Sequence, residues 1–467
     1  MTKKLLLTIS AIFAMAAILQ LMACTKEGST GKSKTQQNTE AQTSKQASAN
    51  PEKAAWFRDA RFGMFVHWGL YSILGGTYNG HTLPDKTLPN GNHWYSEWAQ
   101  MRLDIPKKEY QALAKQFNPV NFNAEQWVQE LSLAGMKYIV LTSKHHDGFA
   151  LWDSDASDYD LGATPCKRDL LGELAQACKK HNIKLGFYYS HWQDWEHPGG
   201  AQPVWPGKIA PTDQMFEKYW QEKCLPQVTE LLKRYQPDML WFDTWNATCK
   251  EQISTKRRDE LIDLIHSIEP NCLINGRICA YDPGDRIDYI SAGDNRHPEK
   301  NLGRPWQTPA TMNFTWAWHS NDFNWKPSAK MIKLLVTNAS LGGNYLLNIG
   351  PYADGTIPSP SLRRMREIGA WLVANGESIY GAMPIDNVEA PSWGRLTKRT
   401  QDSQNIVYAH VMNWEDGKLE IPEKLGKAKA ASVLETGQKV ELTEDGKAFL
   451  KPNGALDANV ATIKLVM

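Results

Sequence analysis

The chain has 467 residues, a formal charge of +1 and 42% apolar side chains. That length suits a large catalytic domain with a smaller companion. Near-neutral charge without a basic stripe gives no electrostatic case for a nucleic-acid partner, and seven cysteines with no C-x-x-C pair argue against a thiolate zinc site. Nineteen Trp and sixteen Tyr are many; aromatic faces serve core packing and also suit the apolar C–H faces of sugar rings.

Residues 1–24 read as an export signal. Lys3 and Lys4 open it, and Leu5 to Leu21 is apolar with a few weakly polar breaks. Its end, Leu21-Met-Ala-Cys24, resembles the lipobox of bacterial lipoproteins. That resemblance implies lipidation at Cys24 and a mature protein held in a bacterial envelope, periplasmic or at the cell surface, by lipid rather than by a spanning helix. A plain cleaved signal and a transmembrane anchor are the alternatives. Residues 25–50 are Ser, Thr, Gln, Lys and Ala with almost nothing apolar, a solvated tether.

The folded part begins near Ala54. Phe62-Gly-Met-Phe-Val-His-Trp-Gly69 reads as a strand ending in His67 and Trp68, followed by a long loop that closes on Tyr95, Glu97 and Trp98. Asn123 is placed to cap a helix whose apolar face carries Trp127, Leu131 and Ala134, with Gly135 closing it. The strand Tyr138–Thr142 then runs into Lys144-His-His-Asp-Gly-Phe149. The alternation continues with helices near 169–180, 214–234, 256–268 and 329–341. They precede the strands Leu185–Ser190, Met239–Phe242, Leu273–Arg277 and Asn344–Gly350. Helices alternating with short apolar strands imply a parallel sheet with crossover helices, and over this length a closed (β/α)8-like TIM barrel. A helix at 361–375 ends it. Beyond Tyr380, Ile406–Val411 and Ala461–Val466 read as strands, and Glu415-Asp-Gly417 and Glu444-Asp-Gly446 as turns. The expected organisation is a barrel over 51–381 and a small C-terminal β-sandwich over 385–467.

Polar residues gather where strands end: His67, His145 and His146, Tyr188 or Tyr189, Asp243, and Arg277. Taken singly, each has a plain structural role: Asp243 as a helix or turn cap, His67 as a hydrogen-bonded core histidine, Arg277 as an ion-pair partner. Adjacent His145 and His146 on a strand would point to opposite faces, which disfavours a shared metal. Together, at one end of one barrel, they form a pocket rich in His, Arg, carboxylate and Trp, which suits a sugar. Glycosidic cleavage there needs two carboxyl groups.

The segments Phe62–Gly69, His145-His-Asp-Gly-Phe149, Leu240-Trp-Phe-Asp243 and Gly342-Gly-Asn-Tyr-Leu-Leu-Asn-Ile-Gly-Pro351 resemble those of the α-L-fucosidases of glycoside hydrolase family 29. The resemblance spans roughly residues 51–381. It implies a barrel followed by a β-sandwich, and exo-hydrolysis of α-L-fucosides on glycans with retention, through a covalent intermediate and with no metal or other cofactor. It implies Asp243 as nucleophile and Glu299, in Gly293-Asp-Asn-Arg-His-Pro-Glu299, as acid/base, with Glu97 in reserve. It implies sugar contacts from His67, Glu97, Trp98, His145, His146, Tyr189 (or Tyr188), Trp241, Arg277 and Trp316. The loop before Glu299 lacks the family's aromatic and Thr, and Trp306-Gln307 stands where relatives often have Trp-Glu, which would remove a carboxylate near the site. Two alternatives follow: a lipoprotein that binds fucosylated glycans without cutting them, and a glycosidase for a related sugar such as an α-L-galactoside.

Overall fold

The computed structural model describes residues 52–202, 210–245, 247–414, 417–453, 456 and 459–467. The export signal, Cys24, the tether and most of the turn at Glu415 lie outside them. The barrel strands are β1 (Phe62–Val66), β2 (Tyr138–Lys144), β3 (Lys184–Tyr189), β4 (Met239–Phe242), β5 (Leu273–Ile274), β6 (Ile290–Ser291), β7 (Trp306–Thr311) and β8 (Asn344–Ile349). They form one parallel eight-stranded sheet with β5 and β6 at its ends. Those ends meet through a parallel bridge between Asn275 and Tyr289, with Asp288 N donating to Ile274 O at 2.9 Å and Gly276 N to Tyr289 O at 2.9 Å, so the sheet closes.

The crossover helices are α1 (Ala124–Leu133), α2 (Leu170–Lys180), α3 (Leu225–Tyr235), α4 (Thr255–Ile268) and α5 (Ser328–Ser340), and α6 (Ser359–Asn375) follows β8. Their starts are written in the sequence: Asn123, Asp169 and Ser254 accept from backbone N–H groups of the first turns of α1, α2 and α4. The helix expected over 214–234 is Asp213–Tyr219 joined to α3 by a π-helical stretch, Trp220–Cys224. Pro226 lacks an N–H, and the wider turn before it relieves the clash its ring would make in a continuous α-helix. Among the described residues, β5, β6 and β7 are joined without α-helices, which makes the barrel (β/α)8-like rather than regular.

Strand alternation divides two cores. Phe65, Val140, Tyr188, Met239, Trp241, Leu273 and Leu346 point inward and fill the barrel. Met64, Val66, Ile139, Leu141, Phe187, Leu240, Phe242, Ile274 and Leu347 face the helices. Gly63 is required inside: a Cβ there would meet the Tyr138 ring at 2.3 Å.

The strand expected over Leu273–Arg277 ends at Ile274. The Asn275 side chain takes the next rung instead, accepting from Phe242 N at 2.9 Å and donating to Phe242 O at 3.0 Å. A short 3-10 turn, Gly276–Ile278, then carries Arg277.

The C-terminal strands are β9 (Gly394–Gln401), β10 (Gln404–Val411), β11 (Lys418–Glu420), β12 (Ala430–Val433), β13 (Ala448–Leu450) and β14 (Ala461–Val466). An antiparallel sheet in the order β9-β10-β14-β12 faces the β11-β13 ribbon over Trp393, Val407, Phe449 and Ile463. It docks on the barrel behind α6, where Trp371 Nε1 donates to Val460 O at 2.9 Å.

Candidate active site

At the C-terminal end of the barrel, a cavity of about 250 Å³ is lined by residues from seven strand ends or their loops. Phe65, Tyr188 and Trp241 come from the last residues of their strands, and the other lining side chains follow just past strand ends or stand in the loops beyond. The volume is below the roughly 300–1,000 Å³ of drug-sized ligand sites and suits one small ring.

His67 follows β1. Its Nδ1 donates to Asn348 Oδ1 at 2.7 Å, and Asn348 Nδ2 in turn donates to Trp316 O at 2.5 Å. An amide oxygen only accepts, so Nδ1 carries the proton and Nε2 is left as an acceptor for ligand. Burial lowers the His67 pKa to about 3, so the ring is neutral.

His145 and His146 follow Lys144. The expected opposition of their faces does not occur, because strand geometry ends at Lys144; both rings line the cavity, with centroids 4.2 Å apart. Burial, then the Lys144 charge, lowers the His146 pKa to about 3. Ser190 Oγ donates to Gln193 O at 2.7 Å and therefore accepts from His146 Nδ1 at 2.7 Å. His146 Nε2 then faces Asp243 Oδ2 at 3.6 Å as a second acceptor, too far for a bond. Two acceptors facing each other call for a donor, which a sugar hydroxyl supplies.

Tyr188, not Tyr189, faces the cavity. Tyr188 Oη donates to Asp243 Oδ2 at 2.8 Å. Tyr189 points outward, with Oη donating to Gln227 Oε1 at 2.9 Å and Lys144 Nζ 4.6 Å from its ring. Successive strand residues alternate, and the Tyr188↔Trp241 register puts Tyr188 with the inward set.

Trp241 stacks on Tyr188 with centroids 5.4 Å apart, and the Arg277 guanidinium also lies over its ring, 5.0 Å from the centroid. Asp243 follows β4. Its Oδ1 accepts from Arg277 Nη1 at 2.9 Å, and Nη2 of the same guanidinium donates to Asp294, just past β6. Burial opposes the Arg277 charge, but Asp294 and Asp243 outweigh it and raise its pKa. One guanidinium thus holds a carboxylate on each of its two terminal nitrogens.

Glu97 sits in the 3-10 turn Ser96–Trp98 at the closed end of the cavity, 1% exposed. Burial raises its pKa to about 7. Its Oε2 accepts from Ala317 N at 3.3 Å and Thr315 Oγ1 at 3.4 Å. Glu97 Oε1, His145 Nδ1 and Trp241 Nε1 have no protein partner. Three buried polar atoms around one cavity mark where a polyhydroxyl ligand completes the hydrogen bonding. Trp98 packs edge-on against His146, and Trp316 lies beside Phe65 and His67, making an apolar wall.

Glu299 is not part of this site. After Asp294 the chain turns back. The His297 ring bonds Asn338 Oδ1 at 3.0 Å, and Asn338 Nδ2 bonds Asn344 O at the start of β8, the opposite end of the barrel. Glu299 lies exposed on this descending segment. Gln307 is likewise at the far end, in register with Asn344, its Oε1 accepting from Tyr138 Oη at 3.1 Å. The expected loss of a carboxylate near the site therefore does not arise. Asp294, Arg102 and Phe65 line the cavity although sequence reasoning passed them over. Asp294 carries the same signal as Asp243, a carboxylate just past a strand; Arg102, on a short helix, carries none. Among the described residues no cluster of three or more His, Cys, Asp or Glu has metal-binding geometry.

The family model described as Alpha-L-fucosidase matches residues 29–377. An alpha-L-fucosidase of Dictyostelium discoideum is 28% identical over 81% of this chain and 82% of its own length. Alpha-L-fucosidase isoenzyme 1 from Paenibacillus thiaminolyticus superposes with a TM-score of 0.75 at 31% identity, covering 89% of this chain and 98% of that one. A Bacteroides thetaiotaomicron GH29 alpha-L-fucosidase, solved as a trapped covalent intermediate with 2-fluoro-fucosyl fluoride, does so with a TM-score of 0.78 at 27% identity, covering 89% and 96%. The chain belongs to the alpha-L-fucosidase family.

Proposed function

We propose that this protein is an exo-acting, retaining α-L-fucosidase in which Asp243 is the nucleophile and Asp294 the acid/base. The observation that carries the reading is the sharing of Arg277 by these two carboxylates at a cavity sized for one ring. In the first step Asp243 bonds to the anomeric carbon, the glycosidic C–O bond breaks, and Asp294, having taken up a proton from solvent, delivers it to the departing oxygen. In the second, Asp294 takes a proton from water, the water oxygen bonds to the anomeric carbon, and the ester to Asp243 breaks, releasing fucose with its configuration retained.

Position separates the two remaining acidic candidates. The Asp294 side chain is 46% exposed and stands at the mouth, where the leaving oxygen is. Glu97 is at the closed end and is assigned to the sugar hydroxyls, with His67, His145 and His146. Phe65 and Trp316 supply an apolar wall that favours a C5 methyl group over the hydroxymethyl of an L-galactoside. Trapping with 2-fluoro-fucosyl fluoride, digestion and mass spectrometry tests the assignment. The adduct belongs on the peptide carrying Asp243; an adduct elsewhere, or turnover with none forming, overturns it.

We also infer export and lipid anchoring at Cys24, supported by the Lys3-Lys4 start, the apolar run and Leu21-Met-Ala-Cys24. Substituting Cys24→Ser should abolish incorporation of labelled palmitate in cells; retained label would sink this inference.

A further inference from the structure

A neutral imidazole has one proton and two nitrogens, and the nitrogen that keeps the proton decides what the ring can bind. The choice matters at His146, whose buried ring is neutral. Its Nε2 faces Asp243 Oδ2 at 3.6 Å. A carboxylate this close favours a proton on Nε2, because a small tilt of the ring would let it donate to Oδ2. That bond would occupy the nucleophile and fill the space a sugar hydroxyl needs. Something must hold the proton on the other nitrogen.

The group on that nitrogen is Ser190, buried just past β3. Its hydroxyl proton is committed to Gln193 O at 2.7 Å, so towards His146 Nδ1, also at 2.7 Å, the oxygen only accepts. The commitment depends on where the Gln193 carbonyl stands. With that carbonyl displaced, the hydroxyl would be free to turn and donate to Nδ1, and the ring proton would pass to Nε2.

The segment carrying Gln193 is clamped to the strand end that carries His146. Lys144 O accepts from Ser190 N at 3.0 Å, and Lys144 Nζ donates to Asp194 Oδ2 at 2.8 Å. Lys223 reaches the same carboxylate oxygen at 3.0 Å, and Trp195 N donates to His146 O at 2.8 Å. The Lys144 and Asp194 side chains are wholly buried, where leaving either charge unpaired is costly, so the clamp holds one arrangement. The bond-making steps at the anomeric carbon use none of these groups.

We propose that Ser190, aligned by the Lys144–Asp194 clamp, is a positioning residue that keeps the His146 proton on Nδ1, leaving Nε2 as an acceptor for a fucose hydroxyl instead of a donor to Asp243. The part played by the hydroxyl rests on the fucosidase reading above; the position of the proton does not. Heteronuclear NMR of the unliganded protein with isotope-labelled histidine reads that position, the His146 signals being those lost in His146→Gln. Wild type should show Nε2 without a proton. Ser190→Ala should show Nε2 protonated and should lower kcat/KM on α-L-fucosyl fluoride roughly tenfold. A wild-type ring with its proton on Nε2 overturns the proposal whether or not the variant folds, and so does a Ser190→Ala ring that keeps the proton on Nδ1. A proton moved to Nε2 with kcat/KM unchanged overturns the link to the reaction. Should the wild-type protein fail to hydrolyse the fluoride, the fucosidase reading fails by itself, and the two spectra still decide what Ser190 does.

Discussion

Arg277 Nη1 donates to Asp243 Oδ1 at 2.9 Å while the same guanidinium holds Asp294. One planar cation thus holds both carboxylates at the cavity. Its own position is fixed through the backbone: Thr244, next to Asp243, donates its N–H and its hydroxyl to Arg277 O at 2.9 and 2.8 Å. A lysine keeps the charge but cannot present two parallel donors. Arg277→Lys should therefore lower kcat/KM on the order of 100-fold with little change in melting temperature. Steady-state kinetics beside a thermal melt checks this, and a fall below fivefold would show that the fork is dispensable.

The two candidates for acid/base differ in where the chain takes them. Asp294 stops beside Arg277; Glu299 has already descended past Asn338. General-acid assistance matters most for poor leaving groups. Asp294→Asn should cost about 100-fold or more in kcat/KM on a fucosyl disaccharide and much less on fucosyl fluoride, which needs no proton. Glu299→Gln should stay within about twofold on both, as surface substitutions usually do. The reverse pattern would return the role to Glu299.

Tyr188 and Tyr189 separate catalysis from stability within one dipeptide. Tyr188→Phe removes the hydrogen bond to Asp243 Oδ2, one of the contacts that orient the proposed nucleophile, and should lower kcat about tenfold. Tyr189→Phe removes a bond to Gln227 on the helix side and leaves the Gln227 oxygen short of a partner. It should cost about 1–2 kcal/mol of stability while kcat and KM stay near wild type. Urea titration and kinetics on both variants read the difference directly.

The sequence shows this alternation only where one face is polar. In Phe187-Tyr-Tyr189 both faces are buried, so polarity does not assign parity; pairing of Tyr188 with Trp241 does. His145 and His146 defeat the same rule for another reason: the strand stops before them. Asp243 was legible because a carboxylate after a four-residue apolar run has few places to go. Glu299 was not, because nothing in Asp294–Pro305 states that the loop turns back towards the opposite rim. The helices and the C-terminal strands Ile406–Val411 and Ala461–Val466, whose patterns are local, stand close to where the sequence puts them.

Glu97 links pH to stability. Burial raises its pKa in the folded chain to about 7, against 4.5 for the ordinary carboxyl. Between these values the folded protein holds a proton that the unfolded chain has released, so the unfolding free energy falls as pH rises through this window. The full contribution is present below pH 4.5 and gone above about 7. The shift corresponds to about 3 kcal/mol, an upper figure if water reaches the cavity. Glu97→Gln keeps a neutral side chain of similar shape at every pH. Relative to wild type, the variant should therefore gain roughly 2–3 kcal/mol in unfolding free energy between pH 4.5 and pH 8. Asp147, which burial raises to about 6, titrates in both proteins and cancels from that difference. Urea denaturation of the pair at several pH values measures it. A difference independent of pH would mean that Glu97 is ionised in the folded protein throughout and that its protonated carboxyl is not what meets the sugar hydroxyls at neutral pH.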